Sequence, residues 1–470
     1  MTTHTSSPIR TRFAPSPTGF MHIGNVRIAL LNALFARQQK GSFLLRIEDT
    51  DASRLIDPEG KKILADLTWL QIRFDEGPFY QSQRTAIYQE HLEFLKKKDL
   101  VYRCFETAEE LEEKRQRQIK LGLPPRYDGT GLRLSTTEVD SLLARKVPFI
   151  WRFKLPEGTV TFTELARGPI TFDMSHFSDF ALTRHDGSFT FLFANCIDDL
   201  VMKVSHVIRG ADHQTNTASQ VALLNAFGAT PPIYYHAPLL CNADGKKLSK
   251  RDFGFSLDDI RESGFIPEAI LNYLGIIGGT YENEILDFEE LTTAIDFHKL
   301  HQSNTLRYDI DKLRWVNHEW LKRLSLTDLA KRIRPFLEQA YPEAKKLSDK
   351  ELERCIDPIR AELVTLSDAV NLLAVCFTLP EQTAEMVAAI EPYRTIIEGF
   401  IKQGVAKLSA QECIAYFRTE AKAHSFSFAD LVSTLRLVLT GSRQGIGIAV
   451  LFELMGQERI AQHLQKMLTY

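Results

Sequence analysis

Ile9-Arg-Thr-Arg-Phe-Ala-Pro-Ser-Pro-Thr-Gly-Phe-Met-His-Ile-Gly-Asn25 decides how the chain begins to fold. Ile9 to Ala14 reads as a short strand. Pro15-Ser16-Pro17-Thr18-Gly19 must be a loop, because its prolines and glycine interrupt any regular element. From Asn25 to Gln39, Val26, Ala29, Leu30, Ala33 and Leu34 recur at helical spacing, and Gly41 ends that helix. Ser42 to Ile47 is strand-like, and Glu48-Asp49-Thr50-Asp51 turns sharply polar. Asp57-Pro58-Glu59 predicts a second helix, with Asp57 as cap and Pro58 in its first position. Strand, helix, strand, helix is the order of a parallel sheet covered by helices.

Open sheets of this kind bind ligands beyond the carboxyl ends of their strands, where His22-Ile23-Gly24-Asn25 falls. Gly24 lets a nucleotide approach backbone, His22 can donate to a phosphate oxygen, and the following helix start favours anions. Far downstream stands Lys247-Leu248-Ser249-Lys250-Arg251, preceded by Asp244-Gly245-Lys246. Ammonium groups on such a loop suit the charge that builds on an α-phosphate under in-line attack. A mobile lysine also suits contact made in the transition state more than in the ground state. Each stretch alone fits an ordinary helix start or a solvated basic loop. Together, in this order, they point to ATP-dependent activation of a small acid. No Gly-x-x-x-x-Gly-Lys-Ser/Thr motif is present, which disfavours P-loop chemistry.

The remainder divides by texture. Thr107 to Leu121 reads as a charged, solvated helix. Val147 to Thr190 is β-rich, with Phe149 to Phe153, Val160 to Phe162 and Ile170 to Phe172, and reads as an antiparallel insertion. The α/β pattern resumes at Phe191 to Arg209, with a helix over Thr215 to Phe227. After about residue 325 only helices are expected: 328–341, 349–368, 381–403, 409–424, 428–440 and 447–466.

The 470 residues allow about three domains. The net charge of −3, from 57 basic and 60 acidic residues, carries no global basic field, so RNA contact must come from local patches. Lys96-Lys97-Lys98, Lys331 to Arg334, and Arg436 with Arg443 are the candidates. Six scattered cysteines, none in a Cys-x-x-Cys pair, read as reduced thiols. Residues 1–7 are polar with no apolar run after them, and no stretch is apolar enough to span a membrane. A cytoplasmic protein is expected.

Arg12 to Gly19, His22 to Asn25, Arg46-Ile-Glu-Asp-Thr-Asp51 with Arg54, Val207-Ile-Arg-Gly210 with Asp212-His213, and Lys247 to Arg251 occur in one order. Together they resemble the bacterial glutamyl-tRNA synthetases, a family of class I aminoacyl-tRNA synthetases, from residue 8 onward. The segment Leu313-x-Trp315-x-Asn317 resembles one that precedes that family's anticodon-binding domain. The resemblance implies an α/β, Rossmann-like catalytic domain with an inserted α+β domain, then an all-helical anticodon-binding domain. The expected boundaries are 1–100 for the first catalytic half and 101–190 for the inserted, acceptor-binding domain. Residues 191–325 form the second half and stem-contact region, and 326–470 the anticodon-binding domain.

It also implies a glutamate–tRNA ligase that uses ATP with Mg²⁺. Glutamate attacks the α-phosphate to give glutamyl-adenylate and diphosphate, and the terminal adenosine of tRNA(Glu) then takes the glutamyl group. His22, Lys247 and Lys250 match the catalytic positions. His22, Gly24, Asn25, Lys247, Ser249 and Lys250 match the ATP site. Arg12, Ser16, Glu48, Phe191, Asn195 and Arg209 match the L-glutamate site. Arginine forks suit the two carboxylates, and Glu48 suits the α-ammonium. A monomer is the family's usual form. Some members also charge tRNA(Gln), and that alternative stays open.

This sequence departs from the family in places. Asn25 stands where many class I synthetases carry a second histidine, a position that varies in this subclass, Phe191 stands where a tyrosine is usual, and Ala211 where an acid is usual. Some relatives bind zinc through Cys-x-Cys, a tyrosine and a later cysteine. Here Cys104-Phe105-Glu106 and Pro125 to Gly131 leave one thiolate, too few for that site, so no structural zinc is expected and no metal-ligating residue is assigned. Glutaminyl relatives resemble the front of the chain but carry β-barrels behind. A small nucleotidylyltransferase would account for residues 9–55 and not for the helical third. A shorter relative that glutamylates a modified tRNA base lacks that third. A silent tRNA-binding paralogue would not need His22, Lys247 and Lys250.

Overall fold

The computed structural model describes residues 8–469 except 52, 53, 58, 250, 251, 253, 301, 302 and 404–407. Lys250 and Arg251 of the basic loop, and the expected helix-starting Pro58, lie outside the described residues. Two compact units result: residues 8–259 with 270–310, and residues 260–269 with 311–469.

The first unit opens with β1 (Arg10–Phe13), α1 (Ile23–Gln38), β2 (Ser42–Ile47), α2 (Lys61–Trp69) and β3 (Glu76–Tyr80). The three strands form a parallel sheet in the order β1-β2-β3. β2 is wholly buried from Phe43 to Ile47, as expected of a strand covered on both faces. The second helix starts later than the sequence predicts. Its N-cap is Gly60 in the left-handed region, and Asp57 caps from outside, accepting from the Lys62 amide at 2.7 Å.

Next come α3 (Thr85–Lys97), β4 (Val101–Cys104), α4 (Ala108–Lys120), α5 (Thr136–Ala144), β5 (Ile150–Phe153), β6 (Thr159–Glu164), β7 (Gly168–Asp173) and β8 (Phe180–Ala181). Thr107 and Glu110 close a reciprocal cap on α4, which buries no residue and is the solvated helix its charges suggested. β4, β5 and β8 form an antiparallel sheet. β6 and β7 form an antiparallel hairpin, and β6 also pairs in parallel with a later strand.

That strand belongs to α6 (Phe191–Val201), β9 (His206–Gly210), α7 (Gln214–Ala226), β10 (Ile233–Ala237), β11 (Leu239–Cys241) and β12 (Thr305–Arg307). The sheet order is β7-β6-β10-β9, with β9 parallel to β10. The Ser205 amide donates to Arg10 O at 3.0 Å, so β9 begins beside β1. A Rossmann-like parallel arrangement therefore brings the carboxyl ends of β1, β2 and β9 to one edge.

The second unit is helical among its described residues. Asn317 holds it together locally, accepting from the Ile266 amide at 2.9 Å and donating to Val364 O at 2.6 Å. The long helices expected over 349–368, 381–403 and 447–466 are each broken. The first ends at Ile356 before Pro358, whose ring cannot continue the ladder. The second divides around Pro392, and the third at Gly456, whose φ of 75° no helix allows. Arg332 forms a two-pronged pair with Glu268 at 2.8 and 2.9 Å, and Arg334 donates to Asp349 at 2.7 Å. Arg436 donates to the carbonyls of Ile446 and Arg443. These arginines of the candidate RNA patches therefore hold their own unit together.

Candidate active site

A cavity of about 570 Å³ opens at the shared edge of the strands. Arg12, Ser16, His22, Gly24, Asn25, Glu48, Phe191, Asn195, Arg209 and Lys247 all line it. Every described residue expected at the catalytic, ATP or glutamate site except Ser249 is thus gathered at one place. Ser249 instead folds its own loop, its amide and hydroxyl both donating to Asp252 at 2.8 and 2.9 Å.

His22 is the N-cap of α1. Its Nδ1 accepts from the Asn25 amide, and its own amide donates to Asn25 Oδ1, both at 3.3 Å. Asn25 therefore has a capping role that the sequence reading did not foresee. With Nδ1 accepting, the neutral ring carries its proton on Nε2. Burial, helped by the charge of Lys247, pushes the His22 pKa down to about 4, which keeps the ring neutral at pH 7. A Cβ at Gly24 would come within 3.0 Å of the His22 ring, so this glycine makes room for the histidine itself. Phe255 stacks on His22 at 4.8 Å, and the Ile23 amide donates to Phe255 O at 2.9 Å. The chain after the basic loop is tied in this way to the start of α1.

The loop projects from a tight turn in which Asn242 O accepts from Gly245 and the Asn242 amide donates to Lys246 O. Leu248 is buried and anchors the loop, while Lys247 is exposed. Lys247 Nζ pairs with Asp212 Oδ2 at 2.9 Å. Burial works against the Asp212 charge, but Lys247 outweighs it and holds the carboxyl below its usual range. A pair so open to water contributes about 0–1 kcal/mol, so a phosphate can displace Asp212 at little cost.

The other wall is a buried charge cluster. Arg46, fully buried, donates to Asp199 Oδ1 at 2.7 Å and Glu48 Oε1 at 3.2 Å, and stands 3.6 Å from Asp198. Arg12 Nε donates to Asp199 at 3.1 Å, and Arg84 Nε to Asp198 at 2.6 Å. Three guanidiniums thus meet three carboxylates. Asn195 Nδ2 donates to Glu48 Oε1 at 2.5 Å, and its Oδ1 accepts from Gln220 at 2.9 Å. Burial raises the Glu48 pKa, with Arg46, Asn195 and Arg12 pulling against it. Burial would also raise Asp199, but Arg12 and Arg46 prevail and hold it low. The sequence reading missed Asp198 and Asp199. Their signal was two adjacent acids in a helix with no other charge, Phe191-Leu-Phe-Ala-Asn-Cys-Ile-Asp-Asp199.

Arg209 stands at the end of β9, buried, with Nε and Nη1 lacking any partner within the protein. Burial lowers its pKa to about 10, which leaves it cationic at neutral pH. A buried cation on the cavity wall, with two donors unpartnered within the protein, is suited to an anionic ligand. Phe191 lies 5.6 Å from the His213 ring on the same cavity.

Away from the cavity, the segments matching the relatives' zinc site hold a salt-bridged cluster. Lys114 Nζ contacts Glu106, Asp128 at 3.0 Å and Thr130 at 2.8 Å, and Tyr127 OH donates to Glu106 at 2.8 Å. Cys104 lies 3.6 Å from Glu106. Among the described residues no group of three or more His, Cys, Asp or Glu is arranged to hold a metal. No described helix is long and apolar enough to cross a membrane.

Residues 8–315 match the catalytic domain of the class I tRNA synthetases for E and Q, and residues 328–468 match an anticodon-binding domain. The fold and site define a class I aminoacyl-tRNA synthetase. A glutamate–tRNA ligase of Nitrosospira multiformis is 36% identical over 98% of this chain and 99% of its own length. One from Bacillus pumilus is 35% identical over 97% and 99%. A crystal structure of a glutamate tRNA ligase from Elizabethkingia meningosepticum, in complex with its amino acid, superposes with a TM-score of 0.83 at 30% identity, covering 98% of this chain and 99% of that one. The chain belongs to the glutamate–tRNA ligase family.

Proposed function

We propose that this protein activates L-glutamate with MgATP and transfers it to the terminal adenosine of tRNA(Glu). The observation that carries this reading is the single cavity shared by His22, Lys247, Glu48, Arg12 and Arg209. One side offers cations and a neutral donor for phosphate, and the other offers arginines and one carboxylate for an amino acid with two acids and one amine.

In this reading a glutamate carboxylate oxygen attacks the α-phosphorus of ATP and diphosphate leaves. His22 Nε2–H donates to a phosphate oxygen, and Lys247, released from Asp212, helps carry the developing charge. Lys250 is assigned the same task from its place in the basic loop. Glu48 pairs with the α-ammonium, while Arg12 and Arg209 take carboxylate oxygens. Asn195 orients Glu48, Asn25 orients His22, and Gly24 gives the His22 ring its space. Ser16 and Phe191 complete the walls. Magnesium enters with ATP, and no zinc is assigned. The 2′-hydroxyl of the terminal adenosine then attacks the glutamyl carbonyl, and AMP leaves. The cytoplasm as site of action and a monomeric state follow the family's usual pattern.

Nucleotide analysis tests this reading. With L-glutamate, MgATP and tRNA, AMP and diphosphate should form together and only when glutamate is present. Release of ADP, or AMP formation indifferent to the amino acid, would overturn it. tRNA(Gln) in parallel reactions reads out whether the protein also charges that tRNA.

A further inference from the structure

Arg209 does not stand alone in the cavity wall. Its Nη2 donates to Thr217 Oγ1 at 2.7 Å, with a longer contact to His213 O at 3.4 Å. Its guanidinium lies 5.5 Å from the ring of Tyr234. Thr217, fully buried in the first turn of α7, forms a second contact from the same oxygen, to His236 Nε2 at 2.7 Å. His236 is fixed in turn. Its amide donates to Glu164 Oε1 at 3.0 Å, and its ring lies 5.8 Å from Tyr234 and 3° from parallel. Burial keeps this histidine neutral, so it adds no repulsive charge beside Arg209.

We propose that Thr217, braced by His236, is the positioning residue that aims Arg209 at the side-chain carboxylate of glutamate. The inference rests on the reading of Arg209 as a glutamate ligand. An arginine has several rotatable bonds, and a loose fork forfeits affinity to the entropy of fixing it. One hydroxyl bond on Nη2, with an aromatic face alongside, holds the group on the cavity wall while Nε and Nη1 have no partner within the protein. Thr217 touches no substrate in this scheme and acts through Arg209 alone.

Thr217→Val tests this, because it removes the hydroxyl and keeps the branched shape. The loss of one hydrogen bond to a charged group should raise the KM for glutamate about tenfold. The KM for ATP and kcat should change by less than about twofold, and Thr217→Ser should restore the glutamate KM. An unchanged glutamate KM, an equal rise in the ATP KM, or failure of serine to restore it would each overturn the brace. Arg209→Ala, assayed in parallel, separates the two ideas. If it leaves the glutamate KM untouched, the ligand role of Arg209 fails and the brace with it. If it raises that KM while Thr217→Val does not, only the brace fails.

Discussion

The imidazole of His22 lies stacked on the ring of Phe255, centroids 4.8 Å apart and 23° from parallel. The contact ties the start of α1 to the chain just beyond the basic loop, so two stretches more than 200 residues apart share one cavity wall. An aromatic pair contributes about 0.5–1.5 kcal/mol beyond its buried area. Phe255→Ala should therefore raise the KM for ATP up to about tenfold, with the glutamate KM unmoved. Steady-state kinetics with each substrate varied in turn checks this. A rise confined to glutamate would contradict it.

Lys250 carries a separate expectation. If its ammonium engages mainly as charge builds on the α-phosphate, Lys250→Ala should slow adenylate formation about a hundredfold while ATP affinity falls less than about threefold. Single-turnover rates set against equilibrium ATP binding decide it. Equal losses would place the lysine in the ground state.

The cluster around Arg46 has a stability consequence. Removing one partner of a buried ion pair leaves charges without compensation, at a cost of about 3–5 kcal/mol. Arg46→Leu leaves Glu48 without its guanidinium and Asp199 with Arg12 alone, so the unfolding free energy from denaturant titration should fall by that measure. A loss below about 1 kcal/mol would show that water reaches the cluster.

Several histidines make the fold sensitive to acid. Burial lowers His22, His206 and His213 to about 4, and His236 to about 3, from 6.5. The unfolded chain takes up protons below pH 6.5 that the folded chain refuses until near pH 4. Their contribution is thus fully present above pH 6.5 and is lost as pH falls toward 4. Unfolding free energy should be lower at pH 5.5 than at pH 7.5. His206→Gln should shrink that difference by about 1 kcal/mol. An unchanged difference would contradict the burial argument.

The segments around Cys104 allow a metal test. The Lys114 ammonium already sits against Glu106 and Asp128, where a zinc ion would meet like charge. Elemental analysis of the purified chain should find no stoichiometric zinc. One zinc per chain would overturn the expectation.

Most of the sheet was legible because strand and helix periodicities are local, as in Ser42 to Ile47 and in the helix from Phe428 to Thr440. Breaks were less legible. Pro358, Pro392 and Gly456 interrupt helices that hydropathy alone runs together. Much of the cavity's lining could be named from motifs, which fall at or just beyond strand ends and at the start of α1. The partnerships among those residues could not. That Asn195 orients Glu48 and that Asp199 joins Arg12 to Arg46 depend on side chains brought together from distant segments, while the Asn25 cap on His22 is local but needs the helix to start at Ile23. The arginines at 332 and 334, a basic run in sequence, have acidic partners that the run alone does not show.

The most direct test is a charging competition. Purified protein is given MgATP, tRNA, and labelled L-glutamate or L-glutamine at equal concentration, and the ester on the terminal adenosine is measured. Glutamate carried by tRNA(Glu), with glutamine charged at least about a hundredfold less efficiently, is the expected result, because a buried Arg209 left facing a neutral amide forfeits a charge-assisted bond. Preferential charging with glutamine, or no ester on any tRNA, would contradict the assignment.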